Sequence, residues 1–210
     1  MLLATHSFHG KAFIYKKEQV LTMAKERVPV NSFHRLMKPE NVALITAMGK
    51  DKKTNIMPAS WITPLSFKPP LVGVLVKPSR HTHSLIKESE EFVINFLTMD
   101  WAKVILECGM ESGRDVDKFR TTSLTKEPSE QVTTPRIKEA YACIECKLNS
   151  SMKLGDHTLF VGEVVNVKAE QNALSETGIL NLKEIKPTLY LGEGVFCSTS
   201  DFILKPKVRQ

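Results

Sequence analysis

The stretch LVGVLVKPSRHTHSLIKESEEFVINFL, residues 71–97, sets an apolar β-run, a basic loop, a helix start and a second β-run in direct succession. The apolar halves, LVGVLV and EFVINFL, are short, branched and bounded by Pro, Lys and Glu, which reads as two strands. Between them THSLIKESE opens on Thr82, a residue type suited to capping a helix. Working outward, the same kind of run recurs as VALITAM, NIMPASWI, ACIECKL, TLFVGEVVNV and TLYLG. A second helix is expected over DWAKVILECGM, opening on Asp100. Many short, closely spaced strands with occasional helices fit a closed barrel better than a doubly wound parallel sheet. The chain therefore reads as mainly β, a small barrel with helical insertions.

Bulk properties agree with one main globular domain. The chain has 210 residues, 42% hydrophobic and 25% charged, which is ordinary for a folded protein. No apolar run reaches the length of a membrane-spanning helix, so no membrane partner is expected. The net charge of +6, from 29 Lys and Arg against 23 Asp and Glu, favours anionic ligands. The basic residues are scattered rather than clustered with aromatics, so nucleic acid is not expected. Four cysteines follow an N-terminal stretch that lacks a secretory pattern, which points to a reducing, cytoplasmic setting. Residues 1–25 read as an N-terminal extension, with Met23 an alternative start, and residues 26–210 as the folded domain.

Neither a G-x-G-x-x-G after a strand nor a P-loop sequence occurs, so any nucleotide is held by other means. His81 and His83 form an H-x-H pair, which on an extended strand would point to one side and suit a metal. Lys77 and Arg80 repel a cation there, however, and no carboxylate or thiol completes a tetrahedral set. The same loop suits an anion: Ser79, Arg80, His81 and Thr82 bring hydroxyls, a guanidinium and helix N-terminal N–H groups towards one point. On these residues alone, a solvated Arg80 beside a capping Thr82 explains the loop as well.

A second anion-suited loop is ESGRDVDKFR, residues 111–120, where Ser112, Gly113, Arg114, Lys118 and Arg120 combine close backbone approach with positive charge. In NIMPASW the small residues Ala59 and Ser60 precede Trp61, so the backbone could lie against a flat aromatic ligand, while a core role would also account for the indole. His157 stands at the mouth of the strand in GDHTLFVGEV, placed to donate a proton or orient a cofactor, or simply to serve as a structural side chain. Cys143 and Cys146 lie three apart in a β-run and so face opposite sides, which disfavours a disulfide between them.

Taken in order from about Pro39 to Gly192, the segments NIMPASW, SFKPPLVGVLV, VKPSRHTHSLI, EFVINF, SGRDVDKF and GDHTLFVGEV resemble the flavin reductase-like family of FMN-binding split barrels, especially its flavoredoxin-type members. The resemblance implies a six-stranded antiparallel Greek-key barrel, a homodimer, and noncovalent FMN at the barrel edge. It places Ala59, Ser60 and Trp61 along the isoalloxazine. It places Ser79, Arg80, His81, Thr82, Ser112, Gly113 and Lys118 around the phosphate and ribityl chain, with Asn95 of VINF as a further polar contact. His157 matches the family's G-D-H motif and takes the catalytic role. NADH or NADPH, or a small redox protein, is the implied electron donor, and a noncatalytic electron carrier is the alternative function. Phe196 stands about where the family's final glycine-rich turn leads one to expect a tyrosine.

Overall fold

The computed structural model describes residues 24–200, together with two short N-terminal strands, His6–Phe8 and Lys11–Phe13, that pair antiparallel. Apart from those strands and residues 24 and 25, the extension expected over residues 1–25 lies outside the described residues, as do residues 201–210. The chain divides into two compact units, residues 1–36 and residues 37–210. The second unit holds the barrel and its cavities.

Seven strands build its main sheet: β1 Ala43–Met48, β2 Thr54–Ala59, β3 Ile62–Phe67, β4 Pro70–Val76, β5 Glu91–Phe96, β6 Ala142–Leu154 and β7 His157–Ala169. Their order is β2-β1-β5-β6-β7-β4-β3, and every neighbouring pair is antiparallel. The two ends of this sheet, β2 and β3, are halves of one run of chain that bends at Ser60 and Trp61. Beyond the bend, the Leu75 N–H donates to the Trp61 carbonyl at 3.0 Å. Counted as one bent strand, the run closes the sheet on itself as a six-stranded barrel without two open edges.

Burial follows the period of two. In β1, Ala43, Ile45 and Ala47 face the barrel interior with Val72, Val74, Phe92, Ile94 and Phe160. Val42 and Leu44 face the other way, onto a second core with Ile56, Leu97, Ile105 and Ile137. A strand buried on both faces explains why VALITAM is almost continuously apolar. Inside the barrel Gly162 leaves no room for a side chain, since a Cβ there would lie 2.5 Å from Phe92 Cζ.

Helix α1, His81–Ser89, joins β4 to β5 and closes the barrel interior with Leu85 and Ile86. Its start differs from the sequence expectation. The Arg80 N–H donates to the Lys77 carbonyl and the His83 N–H to the Arg80 carbonyl, so the chain is already helical at His81 and Arg80 takes the cap position. Helix α2, Ala102–Met110, likewise begins after a short 3-10 turn at Met99–Trp101 rather than at Asp100. A single turn, α3 at Lys118–Thr121, is capped by the Asp117 carboxylate, which accepts from the Phe119 N–H at 3.1 Å. Near the end of the described chain, β8 Leu189–Gly192 pairs with β9 Val195–Cys197 and with Glu40–Asn41. Among the described residues no helix is long and apolar enough to cross a membrane.

Candidate functional site

Three cavities meet around Pro58, where β2 runs into the bend. The first, about 440 Å³, lies among the N-terminus of α1, the C-terminal end of α2 and the loop to α3, and it gathers Ser79, Arg80, His81, Thr82, Ser112, Gly113 and Lys118. The two loops that sequence reading treats separately, 79–82 and 111–118, are thus walls of one cavity. A second lobe of about 200 Å³ contains Ala59, Ser60, Trp61, Lys77, Arg80 and His157. A third, of about 250 Å³, also opens on Pro58, Ala59 and Ser60 but is walled by α2, Tyr190 and Phe196.

The first cavity sets Arg80 and Arg114 against a single carboxylate, Glu111, a balance that suits an anion. No side chain among the described residues caps α1, so its first N–H groups face the space between the loops. Arg114 Nη1 donates to the Ser79 carbonyl at 3.0 Å and thereby ties the second loop to the first. Thr82 is fully buried and does not cap its helix; its hydroxyl pairs with Asn55 Nδ2 at 2.8 Å. Asn55 Oδ1 and His81 Nδ1 are buried without a hydrogen-bond partner among the described residues, and both residues line the cavity. A hydroxyl both donates and accepts, so the Asn55 amide can turn its NH₂ towards the cavity and still satisfy Thr82. Burial, reinforced by Arg114, lowers the His81 pKa below its ordinary value, so the ring is neutral at neutral pH.

Lys118 takes a different part from a simple phosphate ligand. It is buried, and its Nζ donates to the Ile56 carbonyl at 2.8 Å and to the Cys108 carbonyl at 2.5 Å. It joins the C-terminal turn of α2 to β2, with one ammonium donor to spare. Burial lowers its pKa, and burial raises the neighbouring Cys108 thiol to about 11.

The second lobe is organised around His157. Its ring packs on Trp61 with centroids 4.7 Å apart, so Trp61 belongs to this wall rather than to the barrel core. His157 Nδ1 lies 2.7 Å from Asp156 Oδ1, and Asp156 Oδ2 lies 3.3 Å from Lys77 Nζ. A carboxylate on Nδ1 fixes the ring and favours the tautomer with its proton there, which leaves Nε2 as the exchangeable position.

Asn95 is the correction among the expected site residues. It is fully buried, with Nδ2 donating to the Leu44 carbonyl at 2.9 Å and Oδ1 accepting from the Ile137 N–H at 2.8 Å and from Cys143 Sγ. Its hydrogen-bonding capacity is spent joining β1 and β5 to the residue 137 segment, and it lines none of the three cavities. The H-x-H reading changes as well, because residues two apart on a helix diverge. His83 turns inward, 2.9 Å from Thr158 Oγ1 and packed on Phe160. Cys143 and Cys146 are free and sit in different cores, as expected for opposite faces of a strand. Sequence reading missed Asn55 and Asp156. A lone Asn inside a β-run was the available signal for the first, since Asn is disfavoured in strands.

Residues 35–200 match the model of the flavin reductase like domain. The chain belongs to the flavin reductase-like family. Within it, the chain is 32% identical over 138 residues to a flavin reductase of Pseudomonas putida, covering 65% of this chain and 78% of that one. Among solved structures, an FMN-binding protein of Thermus thermophilus is similar at 30% identity and a TM-score of 0.76, over 88% of this chain and 99% of that one. Flavoredoxin of Desulfovibrio vulgaris (Miyazaki F) is similar at 27% identity and a TM-score of 0.73, over 80% and 90%. The split-barrel fold and a flavin-related redox role follow from family membership. In this flavin reductase-like chain all three cavities lie inside the matched region.

Proposed function

We propose that the protein is an FMN-dependent oxidoreductase that accepts electrons from NADH or NADPH and delivers them to free flavin, a ferric complex or another acceptor. The observation that carries this reading is the anion cavity. Its uncapped helix terminus, the unpartnered buried atoms of Asn55 and His81, and Gly113, where a Cβ would lie 1.9 Å from Asn55 Oδ1, fit a phosphate and its sugar chain. Arg80 and Arg114 neutralise the phosphate, Asn55 and His81 supply donors, and Lys118 holds the wall in place. Ala59, Ser60 and Trp61 border the flat ring system. FMN supplies the two-electron storage, and the chain supplies position and proton control.

In the second lobe His157 donates or receives a proton at Nε2, with its orientation held by Asp156 and by the Trp61 face. Lys77 and Arg80 line this lobe and suit the negative charge of a dinucleotide donor. The likeness to flavoredoxin supports a second reading, a noncatalytic FMN-binding electron carrier served by a small redox protein. Anaerobic mixing with NADH and NADPH separates the two. Rapid loss of the bound-flavin spectrum with either nucleotide is the result expected of the reductase. Failure of both points to the carrier, and a protein that takes up no FMN sinks the cofactor reading.

A homodimer is part of this proposal. Register places Met152, Leu159 and Leu75 side by side on the outer face of the barrel, and Leu65 reaches the same face near Gly73. Leu65 and Met152 are exposed there, 43% and 60%, which a second copy of the chain would cover.

A further inference from the structure

The apolar lobe shares Ala59 and Ser60 with the border of the flat ring system, and its aromatic wall has no assigned role. Val42 and Ile105 close its base, Leu106 and Met110 stand at its rim, and Tyr190 and Phe196 form its far wall. No charged side chain among the described residues lines it, whereas the lobe across the same Pro58–Ser60 segment carries Lys77, Arg80 and His157. We propose that this lobe is a binding subsite for a small uncharged ring compound of the quinone or aromatic class, held apart from the charged donor. Its role as the place of the second reactant rests on the flavin reading above.

Three features point to this ligand class. At about 250 Å³ the lobe is just below the usual range for drug-sized ligands, roughly 300–1,000 Å³, and so suits one or two fused rings. The Tyr190 and Phe196 rings, 5.3 Å between centroids and tilted by 47°, offer aromatic surface, while Met110 adds a polarisable, adaptable rim. Polar side chains in the lining are limited to Ser60 and Tyr190, and the Tyr190 hydroxyl already accepts from the Gly194 N–H at 3.3 Å. An ionic group entering here would lose its hydration with no charged side chain in the lining to replace it, since Lys38, over the Tyr190 ring, is already paired with Glu40. Gly109 leaves the helix surface open, since a Cβ there would lie 3.1 Å from Pro58 Cγ.

The test is calorimetric titration of the FMN-loaded protein with 2,3-dimethyl-1,4-naphthoquinone and, in parallel, with 1,4-naphthoquinone-2-sulfonate. The neutral ring is expected to bind about tenfold or more tightly than the sulfonate. Leu106→Glu is expected to weaken the neutral ring about tenfold while FMN content and melting temperature stay unchanged, and Leu106→Met is expected to keep the preference. Equal affinities, or a preference that survives Leu106→Glu, overturn the proposal. The same titration before FMN is added separates it from the functional reading. Neutral-ring preference in a protein that takes up no FMN retains the subsite and defeats the flavin reading; FMN uptake without the preference defeats the subsite alone.

Discussion

Asn55 Nδ2 donates to Thr82 Oγ1 at 2.8 Å, which fastens β2 to the first turn of α1 inside the anion cavity. The other face of the same amide meets Gly113, so one strand residue sets the spacing of both basic loops. Gly113→Ala places a methyl group where Asn55 Oδ1 now lies, 1.9 Å from its ideal Cβ position, and one wall must retreat. FMN affinity in this variant should fall about tenfold or more by fluorescence titration, with a partial return in Asn55→Ala/Gly113→Ala. Unchanged affinity would remove Gly113 from the cradle.

Between FMN and riboflavin, Arg80 and Arg114 are expected to discriminate through the phosphate. Arg80→Ala and Arg114→Ala should each weaken FMN by about tenfold or more, from roughly 1.5–3 kcal/mol for a hydrogen bond to a charged group, and affect riboflavin far less. Lys118→Met should behave differently, because the backbone carbonyls of Ile56 and Cys108 lose their shared donor. Its expected signature is a lower melting temperature with similar losses for both ligands. Equal effects on the two ligands from the arginine variants would count against their phosphate role.

Asp156 is expected to serve through His157. In Asp156→Asn the side chain can present either its oxygen or its NH₂ to Nδ1, so the ring loses its fixed orientation and anaerobic flavin reduction by the nicotinamide donor should slow. His157→Ala should slow the same step further while FMN stays bound. If Asp156→Asn reduces its flavin at the unaltered rate, the pair is structural only.

The outer face of the barrel should govern assembly. Met152→Glu places a charge beside Leu159 on the outer face of the barrel. Light scattering after gel filtration is expected to give the mass of two chains for the natural sequence and of one for the variant. A natural chain that runs as a monomer would refute the pairing.

The buried thiols predict alkaline sensitivity. Burial pushes Cys108 up to about 11 and Cys143 and Cys146 up to about 12, from an ordinary value of 9.0. A raised folded-state value means that their contribution is complete below the unfolded thiol pKa and is lost as pH climbs towards 11 and 12. Denaturant midpoints should therefore hold steady to about pH 8.5 and decline from about pH 9 upward. Tyr141, raised by burial to about 12, adds to the upper part of the fall. Cys146→Ala should be less stable throughout but show a shallower decline.

The sequence by itself determined the elements and most of the chemistry. Short apolar runs punctuated by Pro, Gly and Lys marked the strands, and hydroxyl, glycine and guanidinium groups marked the loops 79–82 and 111–118, because both signals are local. Thr82 and Asn95 show where local reading stops. Each is a polar residue in a suggestive segment, yet each side chain is consumed by a buried partner, Asn55 in one case and the Leu44 and Ile137 backbone in the other. Those partners are 27 to 51 residues away. The union of two basic loops into one cavity, the stacking of Trp61 on His157 and the apolar lobe beside Pro58 were likewise decided only by the closed barrel. Bending one strand at Ser60 and Trp61 to seal the sheet brings β2, α1, α2 and the mouth of β7 to a common edge, and nothing local to any of those segments encodes that meeting.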